Sequence, residues 1–232
     1  MPTPVMIKMR KLYSAFVPEG GLCFDIGANV GSRTGCFLMM KCRVLAVEPQ
    51  TGCVAELKKV FKDQQVTILQ KGVGAKPEVK DFYIASNPLI SSFNTQWIED
   101  MKNTHKKDKW DTIVKVEVTT LEQLINEYGL PDFIKIDTEG FEEEVLKGLS
   151  TPVNSLSFEY TLPDPEKKAL ACINLTEKLY NGKALYNISR DEAYQMHFSE
   201  PVSGEELKNL LVAENFDKKH FGNYGDIYVK KF

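Results

Sequence analysis

The chain has 232 residues, 29 basic and 32 acidic side chains, a formal net charge of −3, and 43% hydrophobic and 26% charged residues. This is the balance of an ordinary globular protein, and the length is that of one large domain. The slightly negative charge argues against binding nucleic acid by phosphate neutralisation. No run approaches the about 18 apolar residues of a membrane helix, so no membrane insertion is expected. Met1 to Lys11 lacks the apolar stretch of a signal peptide, which points to a cytoplasmic location. The five cysteines, Cys23, Cys36, Cys42, Cys53 and Cys172, form no C-x-x-C pair. They read as reduced thiols packed as small hydrophobes.

Along the chain, strand and helix patterns alternate, as in a parallel sheet covered on both faces. Leu22 to Ile26 reads as the first strand and Ser32 to Met40 as the helix after it. Val44 to Glu48 is the second strand, followed by a helix from about Thr51 to Lys62 with Val54, Leu57 and Phe61 on one side. Val66 to Gln70 is the third strand. Val79 to Ala85 reads as a more peripheral strand, because Lys80 and Asp81 resist burial. Residues 86–112 show no clear periodicity and sit where a substrate lid would form. Their Lys102, Lys106, Lys107 and Lys109 read as a solvated face.

Regular structure resumes with a strand at Ile113 to Val118. Thr119 and Glu122 have capping-box spacing for a helix that runs to about Tyr128 and stops at Gly129. Phe133 to Asp137 is a short strand, Phe141 to Leu149 a helix, and Leu156 to Tyr160 the fifth main strand. A long helix is predicted from about Pro165 to Tyr180. The C-terminal part reads as a strand (Ala184 to Ser189), a helix (Ser203 to about Glu214, with a Ser203–Glu206 capping box) and a last strand (Asp226 to Lys230).

The chemistry concentrates at two strand ends. Phe24-Asp25-Ile26-Gly27-Ala28-Asn29-Val30-Gly31 is an apolar strand that turns through small residues into a helix, and Gly27 lets the backbone pass close to a ligand. A dinucleotide fold would carry G-x-G-x-x-G to seat a pyrophosphate on the helix N-terminus. Here Asn29 stands at the second glycine position and Gly31 falls one residue early. Asp25, ahead of the turn, would oppose a pyrophosphate but could accept from an ammonium group. That combination fits S-adenosylmethionine, a sulfonium with a zwitterionic tail and no phosphate. Glu48, ending the second strand, is placed to accept both ribose hydroxyls.

The second strand end is Phe133-Ile134-Lys135-Ile136-Asp137-Thr138-Glu139-Gly140. In open α/β sheets, ligands sit at the carboxyl ends of the strands, so Asp137 and Glu139 should share a crevice with Asp25 and Glu48. Glu159, ending Leu156-Ser157-Phe158-Glu159, adds another acid. Converging carboxylates are costly unless they hold cations or protons. They suit a sulfonium, a hydroxyl awaiting deprotonation, or a divalent metal such as magnesium on Asp137 and Glu159. His197 is a further candidate base because histidine titrates near neutrality. Lys135, between Ile134 and Ile136, reads as a side chain that snorkels to water.

These segments resemble the FkbM family of class I methyltransferases. The resemblance runs through FDIGANVG (24–31), AVEPQ (46–50), GVG (72–74), Ser91-Ser92, TTL (119–121), DFIKIDTEGFE (132–142), VLKG (145–148), LSFEY (156–160) and Gly225 to Tyr228. It implies a three-layer, Rossmann-like α/β sandwich over residues 1–232, with a mostly parallel seven-stranded sheet whose last strand is antiparallel. The chain would be a single domain, complete or cut from a larger protein. The resemblance also implies methyl transfer from S-adenosylmethionine, leaving S-adenosylhomocysteine, to a hydroxyl of a sugar, glycan or similar small molecule, in company with or fused to glycosyltransferases. By resemblance and position, Asp25, Gly27, Ala28, Asn29 and Gly31 would hold the methionine end. Glu48 and Pro49 would hold the ribose, Gly72 and Val73 would flank the adenine, and Asp137 would serve the reacting centre with Glu139, Glu159 and His197. The competing readings are an N-methyltransferase on a peptide side chain, a nicotinamide-dependent oxidoreductase, and a non-catalytic cofactor-binding module.

Overall fold

A computed structural model describes residues 3–62, 64–161, 165–213 and 224–231. In chain order its elements are α1 (Pro4–Tyr13), β1 (Leu22–Ile26), α2 (Ser32–Met39), β2 (Arg43–Val47), α3 (Thr51–Val60), β3 (Val66–Leu69), β4 (Gly72–Val73) and β5 (Glu78–Ile84). Then follow α4 (Thr95–Thr104), β6 (Thr112–Thr119), α5 (Leu121–Tyr128), β7 (Phe133–Ile136), α6 (Glu142–Lys147), β8 (Ser155–Thr161), α7 (Pro165–Leu179), β9 (Ala184–Arg190), β10 (Val202–Ser203), α8 (Gly204–Ala213) and β11 (Tyr224–Lys231).

The main sheet has the order β10-β9-β11-β8-β7-β1-β2-β3. Strands β3, β2, β1, β7 and β8 run parallel, and β11 inserts antiparallel between β8 and β9. The expected seven strands are therefore present, and the two-residue β10 adds an eighth. All residues of β1 and β7 are buried, because helices cover both faces of a parallel sheet. On one face Phe24, Ile134, Leu156 and Phe158 pack beneath α5 to α8 through Leu124, Val145, Ile173 and Leu207. On the other, Cys23, Phe133 and Tyr228 meet α1 and α2 through Met9, Leu12, Tyr13 and Phe37. Each such side chain contributes about 1.5–3 kcal/mol by leaving water. All five cysteines are free and buried.

A second sheet, β4-β6-β5, lies apart from the first. Val79 (63% exposed) and Ile113 (55%) lie on it while Phe82 and Val116 are buried, so the peripheral expectation for this strand is met. Three local expectations change. Residues 86–112 are not irregular: Pro88–Ile90 forms a 3-10 turn, and α4 buries Trp97, Ile98 and Met101 against Ala85, Ile90 and Trp110. Their lysines 102, 106, 107 and 109 are exposed, as expected. The cap of α5 is Thr120, whose side chain accepts from the amide of Gln123. Glu122 accepts instead from Ser150 and Thr151, and those bonds lower its carboxyl to about 2. Finally, α1 was not foreseen; Thr3 caps it and Pro4 opens it, a favoured pair at a helix start. The Ser203–Glu206 capping box forms as predicted, and the expected extension of that helix to Glu214 lies outside the described residues.

Candidate active site

Where β1 ends, Gly27 turns with φ +82° and its amide donates to the carbonyl of Val47. A Cβ at this position would lie 1.7 Å from the carbonyl oxygen of Asp137. Only glycine lets the ends of β1 and β7 approach this closely. Asn29 follows in the left-handed region (φ 49°), which asparagine tolerates better than most residues, and its side chain accepts from the amide of Val30.

The turn opens onto a cleft of about 350 Å³ at the carboxyl ends of β1, β2, β7 and β8. Gly27, Ala28, Asn29, Glu48, Pro49, Gly72, Val73, Asp137, Glu139 and Glu159 all line it. Three expected residues do not. Asp25 is buried behind the turn, where its carboxylate accepts from the Thr34 hydroxyl. Gly31 packs against Leu57 and Phe61, so its missing Cβ serves helix packing rather than the cleft. His197 stands outside the lining, with its amide bonded to the carbonyl of Ile188 and its ring edge-on to Phe198.

Glu48 is 3% exposed. Its two oxygens accept from the amides of Asn29 and Gln50, each at 2.9 Å. Burial raises this carboxyl, opposed by those backbone bonds. The bonds fix the carboxylate in place while leaving lone pairs for a ligand diol.

The other end of the cleft follows from strand register. Asp25 pairs with Lys135, Lys135 with Ser157, Ser157 with Tyr228, and Glu159 with Asp226. With a side-chain period of two, Asp25, Lys135, Asp137, Ser157, Glu159 and Asp226 all share one face of the sheet. Lys135 does not snorkel. It is fully buried, with its ammonium 2.6 Å from Asp226 and 3.3 Å from Asp137. Asp137, Glu139 and Glu159 each bring an oxygen within 4.8 Å of the others.

Burial pushes every carboxyl of this group up, but the charges of Lys135 and Arg33 outweigh it at Asp137 and hold that group below its ordinary range. Glu139 and Glu159 go well above theirs, through burial and then through the Asp137 charge. Of the three, Asp137 is thus the readiest to ionise and Glu139 and Glu159 the most reluctant, the usual resolution when like charges crowd together. Reading from sequence missed Arg33, and took Gln50 and Ser91 only as parts of motifs. Arg33 lines the cleft and lies over the Tyr194 ring at 5.3 Å. Gln50 and Ser91 hydrogen-bond each other and tie the residue 86–93 segment to the β2 end of the cleft. The Lys135-x-Asp137 spacing was a signal for the longer of the two Lys135 contacts, but nothing local pointed to the closer partner, Asp226.

The chain is similar to several known proteins. The chain is 24% identical over 140 residues to hexuronic acid methyltransferase AglP of Haloferax volcanii, a stretch covering 60% of this chain and 54% of the relative. It thus spans about half the length of the curated relative it matches. Solved structures similar to it include an rRNA methylase of Streptococcus thermophilus (8% identity, TM-score 0.47, covering 100% of this chain and 99% of the other). Another is a precorrin-6y C5,15-methyltransferase of Geobacter metallireducens (11% identity, TM-score 0.47, covering 97% and 86%). The methyltransferase FkbM domain matches residues 25–196, from the carboxylate ahead of the glycine turn through the acid group and on past β9. The chain belongs to the FkbM methyltransferase domain family.

Proposed function

We propose that the protein transfers a methyl group from S-adenosylmethionine to a hydroxyl oxygen of a sugar or glycan. The observation that carries this reading is the FkbM match across the residues that build the cleft. The hexuronic acid methyltransferase relative supports a sugar acceptor. The side chains suit the donor. Glu48, fixed by two amides, is an acceptor for the ribose diol, with Pro49 beside it. Gly72 and Val73 offer a narrow apolar wall to an adenine. Gly27, Ala28 and Asn29 give a close backbone approach for the methionine end, while Asp25 and Gly31 support that turn from behind. The carboxyl group of the second strand end suits a sulfonium and an ammonium.

When bound, the donor supplies an electrophilic methyl. The protein's task is then to orient the acceptor and receive its proton. Asp137 is the ionised carboxylate at that point. As the acceptor oxygen took the methyl that the donor supplies, its proton would pass to the Asp137 carboxylate. Glu139 and Glu159, holding protons, donate hydrogen bonds toward the sugar. Glycosyltransferases, which make such acceptors, are the expected partners.

Calorimetry with S-adenosylhomocysteine tests the cofactor, and binding of a nicotinamide dinucleotide in its place would overturn it. Incubation with S-adenosylmethionine and neutral or uronate-bearing glycans should add one methyl by mass, and the product should survive mild alkali as an ether does. An alkali-labile ester, or methylation of a peptide amine only, would overturn the hydroxyl acceptor. A divalent cation on Asp137 and Glu159, joined by Glu139, is the alternative arrangement, in which the two glutamates give up their protons to become hard oxygen ligands. It requires that a chelator abolish turnover and that magnesium restore it.

A further inference from the structure

The segment between β5 and α4 touches both ends of the cleft, and Pro88, Leu89, Ser91 and Phe93 line it. At the Glu48 end, the Pro88 carbonyl accepts from the Gln50 side-chain amide at 3.1 Å. The Ser91 hydroxyl donates to the Gln50 side-chain oxygen at 3.2 Å and accepts from the amide of Ala85. The backbone amide of Gln50 is in turn one of the two that hold the Glu48 carboxylate.

At the acid end the contacts fall on the Glu139–Gly140 turn. The Ser92 hydroxyl donates to the Glu139 carbonyl at 2.7 Å, and the Asn94 side-chain amide donates to the Gly140 carbonyl at 2.6 Å. The Trp97 indole lies so close to Gly140 that a Cβ there would collide with it. Among the described residues the indole nitrogen has no hydrogen-bond partner, so shape rather than a polar contact places Trp97. Ser92 is fully buried, and its backbone exchanges two hydrogen bonds with Tyr83 of β5. The clamp is therefore anchored in the second sheet.

This turn needs holding. Glu139 (φ 55°) and Gly140 (φ 84°) both lie in the left-handed region, which strains a residue that carries a Cβ. Glu142 steadies the turn's amides by accepting from Thr138 and Gly140. Ser92 and Asn94 meet its carbonyls from the other side. We propose that Ser92 and Asn94 are positioning residues that hold Glu139 toward the cleft, and that their segment couples the Glu48 end to the acid end. This rests on the reading of the Glu48 end as a nucleoside site. A nucleoside that fixes Glu48 also fixes Gln50, and through Pro88 and Ser91 the segment that carries Ser92 and Asn94. Occupation of one end then tightens the turn at the other, through contiguous contacts.

Amide hydrogen exchange of the whole chain, with adenosine as the probe, tests this. Adenosine carries the adenine and ribose without the sulfonium and amino-acid tail assigned to the acid end. The Gln50 amide reports on the Glu48 end, and the Thr138 and Gly140 amides report on the turn. In the native protein adenosine should slow exchange at Gln50 and, at least about threefold, at both turn amides. Asn94→Asp keeps the side-chain oxygen that accepts from the Trp97 amide but loses the donor to Gly140. It should leave α4 capped and Gln50 responsive, while the turn amides exchange faster and stop responding to adenosine. Ser92→Ala should shift the turn amides in the same direction. A role confined to capping α4 would leave the turn in Asn94→Asp as it is in the native protein. Slowing at no site would show that adenosine does not bind, which overturns the nucleoside reading and this proposal together. Slowing at Gln50 alone in the native protein, or a native turn response in Asn94→Asp, would overturn the proposal and leave the nucleoside reading standing. If Asn94→Asp fails to fold, the native protein and Ser92→Ala still decide the matter.

Discussion

At the β2 end of the cleft, Glu48 accepts from two backbone amides at 2.9 Å, whereas at the β7–β8 end Asp137, Glu139 and Glu159 crowd one another above the buried Lys135. The first end buries its carboxyl group and the second half-buries three. At the first, the partners are main-chain donors fixed by the fold, so the group acts as a rigid receptor. At the second, the partners are side chains and other carboxyls, so the protonation state depends on a balance of charges. The first arrangement suits binding and the second suits moving a proton. The two meet at Gly27, whose missing Cβ faces the Asp137 carbonyl.

Breaking that junction should have the largest effect. Gly27→Ala puts a methyl group 1.7 Å from a backbone oxygen, at a φ of +82°, and neither neighbour is a flexible side-chain tip that could yield. We expect loss of more than about 4 kcal/mol of stability, or failure to fold. Denaturant unfolding measures this. A variant that folds normally and binds S-adenosylhomocysteine with native affinity would show that the two ends are not joined through this contact.

Next in size is Lys135→Met, which acts on the second end alone. It leaves Asp226 and Asp137 without their buried cation, a change that costs about 3–5 kcal/mol when one member of a buried pair is removed. Lys135→Met combined with Asp226→Asn removes both charges of the closer pair and should recover part of that loss. Equal destabilisation of single and double variants in urea melts would place the Lys135 contribution in packing rather than in charge.

The same contrast explains what the sequence made legible. Glu48 and Gly27 could be read because backbone turns need particular residues at particular spacings, and those needs are local. The parallel strands could be read because burial on both faces leaves continuous apolar runs such as Leu45-Ala46-Val47. Lys135 could not, because its partner Asp226 is distant in sequence and joins it only through the β7–β8–β11 register. His197 was misplaced for a similar reason: its position rests on how the chain leaves β9, which no local pattern encodes. The α4 helix had a local signal, Asn94 ahead of Trp97, Ile98 and Met101. It was outweighed by the polar, lysine-rich residues that follow. Helix α1 had Thr3-Pro4 as a start signal, but its exposed Val5 and Ile7 blur the amphipathic pattern that a packed helix normally shows.

The smallest effect tests the charge balance itself. Burial and the Asp137 charge raise Glu159 well above the ordinary glutamate value of 4.5. The folded protein therefore holds this proton at pH values where the unfolded chain has released it. Since the folded state then binds more protons than the unfolded one, stability should fall as pH rises from about 4.5 toward the raised value. Asp137 works in the opposite direction. Its lowered carboxyl contributes stability above the ordinary aspartate value of 3.8, and that contribution is lost as pH falls through the depressed value. Glu159→Gln keeps a hydrogen-bonding group of the same shape but cannot ionise. It should lessen the decline above pH 4.5, of which Glu139, raised likewise, keeps its share, and leave the acid-side loss due to Asp137 in place. Urea melts across this pH range would show a variant more stable than the native chain at neutral pH and nearly equal to it near pH 4.5. If the two curves instead ran parallel at every pH, Glu159 would titrate alike in the folded and unfolded chain, and the sharing of charge that distinguishes this end of the cleft from the Glu48 end would not exist.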